Sequence, residues 1–440
     1  MLTDLYGLPV STSSRVAVDA YDDGVRALLG FGADTVDAFS AAVDADPDFA
    51  LARAGLAVAL YLDERLAEVR PVMDEAKGRA GPLPARERRH IEALDLMVSG
   101  RVPESGALIK EILVESPREL MLAQRLYYFY FWQGRSADML GLTSAIFPAF
   151  DEDSYMLGLH AFALEENARF DEGLALAERA LALNPRDAWA VHALAHVLYE
   201  TGENERGVDA LPPRIHPCTH LGYFRNHLLW HLALMHLAAG RYERAQRMFE
   251  SVFSGQPVAV ASDLHDAVSL AWRLDLFGHL DPARWAHLGA QARARADLPL
   301  LLFHDLHVGM ALAAAGDWPS AERHLERLRQ RGQKGRNKTL PEVVVPLLEG
   351  LHAFARGEPA AAVERIEPVQ ERIVEVGGSH AQREVFHDTL MAATLRAGRV
   401  EPARALLERR LGKRPNPGHY WTTVQQLSTP STPTDGRRPA

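Results

Sequence analysis

The chain is 440 residues long, 47% hydrophobic and 24% charged, enough apolar material for an extensive core under an ordinary load of surface charge. Its formal net charge of −10 argues against general nucleic-acid binding, which needs a basic surface to neutralise phosphate. A lone cysteine, Cys218, excludes an intramolecular disulfide and fits a reducing compartment.

The first residues, MLTDLYGLPVSTSS, lack the basic-then-apolar pattern of a secretory signal. No apolar run reaches the roughly 20 residues that cross a bilayer, so a cytoplasmic location is expected, with no membrane partner. Gly30, followed by Phe39, Ala42 and Pro47, opens a series of evenly spaced turn signals, and the stretch 48–84 holds a second, poorly marked copy. Gly100, Gly134, Ala168 and Gly202 then follow at steps of 34, and Gly240, Gly278 and Gly316 at steps of 38. Gly357 and Gly398 follow at steps of 41. A period of 34 is that of the tetratricopeptide helix–turn–helix, with the small residue in its internal turn. Prolines 17 residues beyond a landmark, at Pro117, Pro185 and Pro415, close the second helix of their repeats. Four added residues correspond to about one helical turn, so longer helices or loops are expected after Gly202.

Each landmark is preceded by a helical apolar stripe, as with Val191, Leu194, Ala195 and Leu198, and followed by an amphipathic helix such as 241–253. No useful stretch has the period of a strand. The expected fold is an all-α, right-handed tetratricopeptide-type superhelix of ten or eleven helical hairpins. It forms one domain over 1–427, best marked over 86–427. Residues 331–340 (RGQKGRNKTL) are expected as a basic, mobile loop and 428–440 as a disordered tail.

In such repeats the first helices line the concave surface. Offsets of 13, 10 or 9, and 6 residues before a landmark share one face. His192 and His196 lie 10 and 6 before Gly202, His227 and His231 lie 13 and 9 before Gly240, His265 lies 13 before Gly278 and His307 lies 9 before Gly316. Trp272 joins them, 6 before Gly278. The i, i+4 pairs His192/His196 and His227/His231 put imidazoles about 5–6 Å apart at Cβ, a spacing that suits capture of one divalent transition-metal ion. Asp263, Asp266 and Asp305 are candidate carboxylates to complete the shell. The alternative is a hydrogen-bonded groove that binds a peptide or an anion without metal. HEXXH is absent, so nothing points to a zinc protease.

Cys218, flanked by His216 and His220 in HPCTH, has the arrangement of a thiol nucleophile beside a base, though a loop cysteine is more often incidental. His304 is expected to orient Asp305. His160, His236 and His352 fall on the packing side, and His90, His279, His287, His324 and His419 look like surface or turn residues. Arg383 in GGSHAQREVF opens a first helix, and a guanidinium at a helix amino terminus would hold a carboxylate or phosphate.

HALAH at 192–196, HLLWH at 227–231, FHDLH at 303–307 and GGSHAQREVF at 377–386 together resemble the tetratricopeptide repeat protein 38 family, over roughly 10–420 and in the same order. That family's elements read HxxAH, HxxWH, FxDxH and GGSxAQRxVF. The resemblance therefore implies importance for His192, His196, His227, Trp230, His231, Asp305 and His307, and for Gly377, Gly378, Ser379, Gln382 and Arg383. It implies the architecture and names no reaction. This chain departs by adding His265, His304, His380 and His387.

A closed superhelix would turn these residues into one cavity, which suits small-molecule chemistry. The functional expectation is a metal-dependent enzyme acting on a small anionic substrate, the ion held by His192, His196, His227 and His231. The ion would activate water or polarise a carbonyl. Asp305, His307 and Asp266 are the candidate catalytic groups, and Arg383, Gln382, Trp230, Trp272 and His265 the candidate substrate contacts. The alternative is a non-catalytic adaptor with a peptide or protein partner in the groove.

Overall fold

From Gly100 onward the recurring small residue ends the first helices in the left-handed conformation. At Gly240, φ is 71°, its N–H donates to Leu237 O at 2.9 Å and the next N–H donates to His236 O at 2.8 Å. That pair of bonds satisfies the last carbonyls of the helix and reverses the chain. The computed structural model describes residues 2–150, 152–254, 260–298, 301–335 and 337–413.

Among the described residues, helices run in eleven successive pairs. The first five are α1 (Arg15–Gly30) with α2 (Thr35–Ala45), α3 (Ala50–Leu62) with α4 (Leu66–Ala80), α5 (Ala85–Val98) with α6 (Val102–Glu115), α7 (Leu120–Phe131) with α8 (Ser136–Ile146), and α9 (Ser154–Glu165) with α10 (Phe170–Leu183). Three more carry the histidines: α11 (Ala188–Glu200) with α12 (Asn204–Ile215), α13 (Phe224–Ala238) with α14 (Tyr242–Val252), and α15 (Ala261–Leu276) with α16 (Ala283–Arg295). The last are α17 (Leu302–Ala314) with α18 (Trp318–Lys334), α19 (Val345–Ala355) with α20 (Pro359–Ile366), and α21 (His380–Arg396) with α22 (Val400–Lys413). A ribbon of two two-residue strands, Leu2–Thr3 and Pro9–Val10, precedes them. This is the all-α tetratricopeptide-type superhelix. The two inner helices after Gly202 are longer, 15 residues in α13 and 16 in α15 against 12 or 13 in α7, α9 and α11, whereas α17 returns to 13 and α19 to 11. No helix among the described residues is long and apolar enough to cross a membrane.

Three repeats turn without glycine, at Phe31, Glu64 and Ala168, all with φ of 58–59°. The first turn therefore lies at Phe31, one residue beyond Gly30, and the poorly marked copy in 48–84 turns at Glu64. A left-handed non-glycine residue costs about 1–2 kcal/mol. At Phe31 and Glu64 contacts with the far half of the chain offset it. Phe31 stacks on Phe224 at 4.0 Å between centroids and on Trp189 at 5.4 Å. Glu64 accepts from Ala261 N–H at 2.7 Å and from Arg295 Nη1 at 2.6 Å.

Consecutive inner helices α9, α11, α13, α15, α17 and α19 are neighbours, and α21 packs against α11, α15 and α19. The last inner helix thus crosses the concave side and fills it. Closure is tight where the 374–377 segment meets the α7–α8 turn: a Cβ on Gly134 would lie 2.0 Å from Val374 O, and Gly377 (φ 84°) approaches the same turn. A Cβ on Gly377 would lie 2.4 Å from Trp132 O. The basic loop is shorter than expected, because α18 continues through Lys334, its amphipathic pattern keeping Leu328 and Gly332 buried. Residues 428–440 lie outside the described residues.

Candidate functional site

Asp187 caps α11 by accepting from Ala190 N–H at 3.0 Å, and all 13 residues of that helix are buried. Small and apolar residues flank its two histidines along the helix, so the sequence can carry both imidazoles deep inside. α13 runs alongside. His192 Nε2 lies 3.1 Å from His227 Nε2, which lies 3.2 Å from His231 Nε2. Ring nitrogens of His192, His196 and His231 fall within 4.8 Å of one another. His196 is fully buried, His231 and His192 nearly so, and His227 is the most open of the four at 8% exposure. Burial, reinforced by the neighbouring imidazoles, holds His192 and His231 well below the ordinary histidine range, so both are neutral at pH 7.

Carboxylates frame the cluster. His227 Nδ1 is 2.9 Å from Asp266 Oδ2 on α15, and His196 Nδ1 is 3.5 Å from Glu165 Oε2 at the end of α9. Glu165, Glu166 and His196 also place ligand atoms within 4.8 Å of one another. The position-based stripe misses both glutamates because they lie three and two residues before Ala168, outside its register. One signal was available. Two adjacent carboxylates at a helix carboxyl terminus oppose its dipole, so they need partners elsewhere.

Glu166 finds them on α21. It accepts from His380 N–H at 2.9 Å, and lies 3.3 Å from His380 Nδ1 and 3.7 Å from Arg383 Nη2. Burial alone would raise its pKa, but His380, Arg383 and His196 together hold it well below the usual carboxylate range. The helix amino terminus and guanidinium of GGSHAQR do hold a carboxylate, and it belongs to the chain itself. That corrects Arg383 as a free anchor for substrate, since its remaining described bond goes to Gly378 O. Gln382 is likewise engaged: its side chain accepts from Ser379 N–H at 2.9 Å while Ser379 Oγ accepts from Gln382 N–H, a reciprocal cap on α21.

Asp305 turns away from the imidazole cluster and is not placed as a catalytic group beside it. Its carboxylate pairs with Arg331 Nη1 at 2.9 Å on α18, the outer helix, because it sits one face away from His307. His304 does not orient it; His304 Nδ1 instead meets His265 Nε2 at 2.9 Å. His307 is fully buried, its Nδ1 bonded to Phe303 O at 2.8 Å and its Nε2 without a partner, and burial pushes it down to about 3. Its ring is 5.3 Å from that of His265, giving a second imidazole group beside the first. Trp230 stacks on His227 at 5.4 Å between centroids. Trp272 donates to Thr389 on α21 at 2.9 Å, a closure contact. His90 and His324 are not surface residues: His90 is buried against Glu119 at 2.9 Å, and His324 against Asp305 O at 2.9 Å. Cys218 is buried with its thiol pushed up to about 11, mainly by burial, which removes it as a nucleophile.

A metal fits this donor set. Imidazole nitrogens bound to one tetrahedral ion at about 2.0–2.1 Å lie ~3.3 Å apart, close to the two Nε2 separations. His227 donates Nδ1–H to Asp266, which leaves its Nε2 lone pair facing two other Nε2 atoms.

Residues 29–84 match a family model described as Tetratricopeptide repeat, in agreement with the helical hairpins that run through the described residues. Its fold is similar to that of Rap protein complexed with competence and sporulation factor, at 10% identity and TM-score 0.43, covering 86% of this chain and 99% of that one. It is similar to a tetratricopeptide repeat protein from Parabacteroides merdae, at 13% identity and TM-score 0.38, covering 70% and 98%. It is also similar to human IFIT1 as a dimer with PPP-AAAA, at 12% identity and TM-score 0.42, covering 96% and 95%.

Proposed function

We propose that this chain is a metal-dependent enzyme acting on a small anionic substrate, with a divalent transition-metal ion held among His192, His196, His227 and His231. The observation that carries the reading is the mutual approach of ring nitrogens of His192, His196 and His231 within 4.8 Å, with His227 Nε2 at 3.1 Å from His192 and 3.2 Å from His231 and its Nδ1 at 2.9 Å from Asp266. An ion there would activate water or polarise a carbonyl. Asp266 sets the tautomer of His227, and the carboxylates of Glu165 and Glu166 offer charge to the His196 side. His265 and His307 form the adjoining wall. Membership of the tetratricopeptide repeat protein 38 family is part of this proposal, since the same four motifs build the interior. A cytoplasmic location is part of it as well.

The adaptor reading has less support. A peptide needs an open trough, and here α21, Phe31 and Glu64 occupy the concave side. Metal-free protein refilled with one equivalent of Zn2+ or Co2+ and offered small carboxylate and phosphate esters tests the enzyme. Turnover abolished by chelation and restored by the ion supports it. Uptake without turnover on any ester removes the catalytic half, and no uptake removes the whole.

A further inference from the structure

Three arginines among the described residues are almost wholly buried: Arg125, Arg273 and Arg383. Two are neutralised. Arg273 has Asp388 at 3.5 Å and donates to Ala381 O at 2.8 Å, and Arg383 has Glu166 and Gly378 O. Arg125, on α7 and 7% exposed, has no acidic side chain within 4.0 Å among the described residues. Its described hydrogen bond goes from Nη2 to the neutral Gln124 Oε1, and its buried Nε has no partner. The guanidinium lies 5.3 Å from the ring centroid of Tyr128, whose buried hydroxyl also lacks a partner.

A guanidinium keeps its charge at any physiological pH, so burial costs several kcal/mol unless an anion answers it. Burial is the main influence on this group, opposed only by the phenols of Tyr128 and Tyr223. The register is informative as well. Arg125 and Tyr128 lie nine and six residues before Gly134, the offsets that carry His231 before Gly240 and His196 before Gly202. Both therefore face the interior. Trp189 joins the two regions, its ring 5.4 Å from Tyr128 and 4.5 Å from His192.

We propose that Arg125 and Tyr128 form an oxyanion-binding site, taking the carboxylate or phosphate of a small molecule whose body lies against the aromatic side chains of Phe31, Trp189 and Tyr223. The unpaired guanidinium supplies charge and a planar fork of donors, and the Tyr128 hydroxyl adds one more. This deepens the proposed function by giving the substrate's anionic group the anchor that Arg383 does not provide.

The test uses the full chain, with benzoate and inorganic phosphate as probes, titrated by calorimetry with metal content measured on the same samples. One probe should bind saturably with one-to-one stoichiometry, benzoate marking a carboxylate site and phosphate a phosphate site. Arg125→Gln should weaken that binding about tenfold or more, as expected for loss of a charged hydrogen-bond donor. Without ligand, Arg125→Gln should melt no lower than the parent, because it removes an unanswered buried charge. Tyr128→Phe should weaken binding while leaving the fold intact. Failure of both probes to bind the parent protein, or undiminished binding in both variants, overturns the proposal. So does unfolding of Arg125→Gln, which would make the guanidinium a structural group. Probe binding to a protein that takes up no metal would leave this site standing and sink the metal centre alone.

Discussion

His227 and Asp266 meet Nδ1 to Oδ2 at 2.9 Å across the α13–α15 interface. The carboxylate accepts the Nδ1 proton, which turns the Nε2 lone pair toward His192 and His231. A ligand imidazole backed by a carboxylate is more basic and held in one orientation. Nothing in the spacing of HLLWH announces that partner, because Asp266 stands 39 residues away in a different repeat.

Asp266→Asn should therefore weaken metal binding about 10–100-fold while helicity stays unchanged. Competition against a chromogenic chelator measures it. Equal affinity in the two proteins would show that the bond is a packing contact without influence on the cluster.

Acid should weaken the metal-free protein through these histidines. Burial holds His192 and His231 well below the usual 6.5 and brings His307 to about 3. Their folded-state pKa values are depressed, so the unfolded chain takes up protons below 6.5 that the folded chain refuses. The stability they contribute is complete above about 6.5 and is lost as pH falls. His380, raised by Glu166, works the other way but is 45% exposed. The carboxyls of Asp187 and Asp4, pushed up by burial to about 7 and about 6, also oppose the trend. The depressed imidazoles, His265, His304 and His352 among them, outnumber these groups. Denaturant midpoints should fall steadily from about pH 7 to about pH 4; a flat profile would contradict neutral, buried imidazoles.

Closure of the superhelix predicts unequal costs for two glycine substitutions. Gly278 has φ of 73° and open space where a Cβ would go, so Gly278→Ala should cost about 1–2 kcal/mol from conformation alone. Gly377→Ala adds a clash with Trp132 O and should cost at least ~1 kcal/mol more. Equal losses in chemical denaturation would mean that the 374–377 segment does not press on the α7–α8 turn in solution.

The glycine period made the hairpins legible, because only a left-handed turn demands glycine at a fixed interval. It failed at Phe31 and Glu64, where contacts across the interior replace the glycine's conformational ease. The face rule placed His192, His196, His227 and His231 on one side of adjacent helices, since a single helix and its neighbour fix that. Partners set by closure were out of reach. GGSHAQR carries the chemistry of a carboxylate site, yet only the path of α21 across the concave face shows that Glu166 fills it. Asp305 shared a motif with His307, but at i, i+2 two side chains on a helix point apart.

The proposed centre requires metal in the native protein. Elemental analysis of the purified full chain and of His231→Ala, beside their circular dichroism, tests it most directly. The substitution removes one imidazole and leaves the neighbouring Leu228 and Leu232 in place. About one equivalent of a divalent transition metal in the parent, lost from a variant that remains helical, is the predicted result. A parent protein that carries no metal and takes none up on dialysis, or a variant that retains it in full, would contradict the proposed centre.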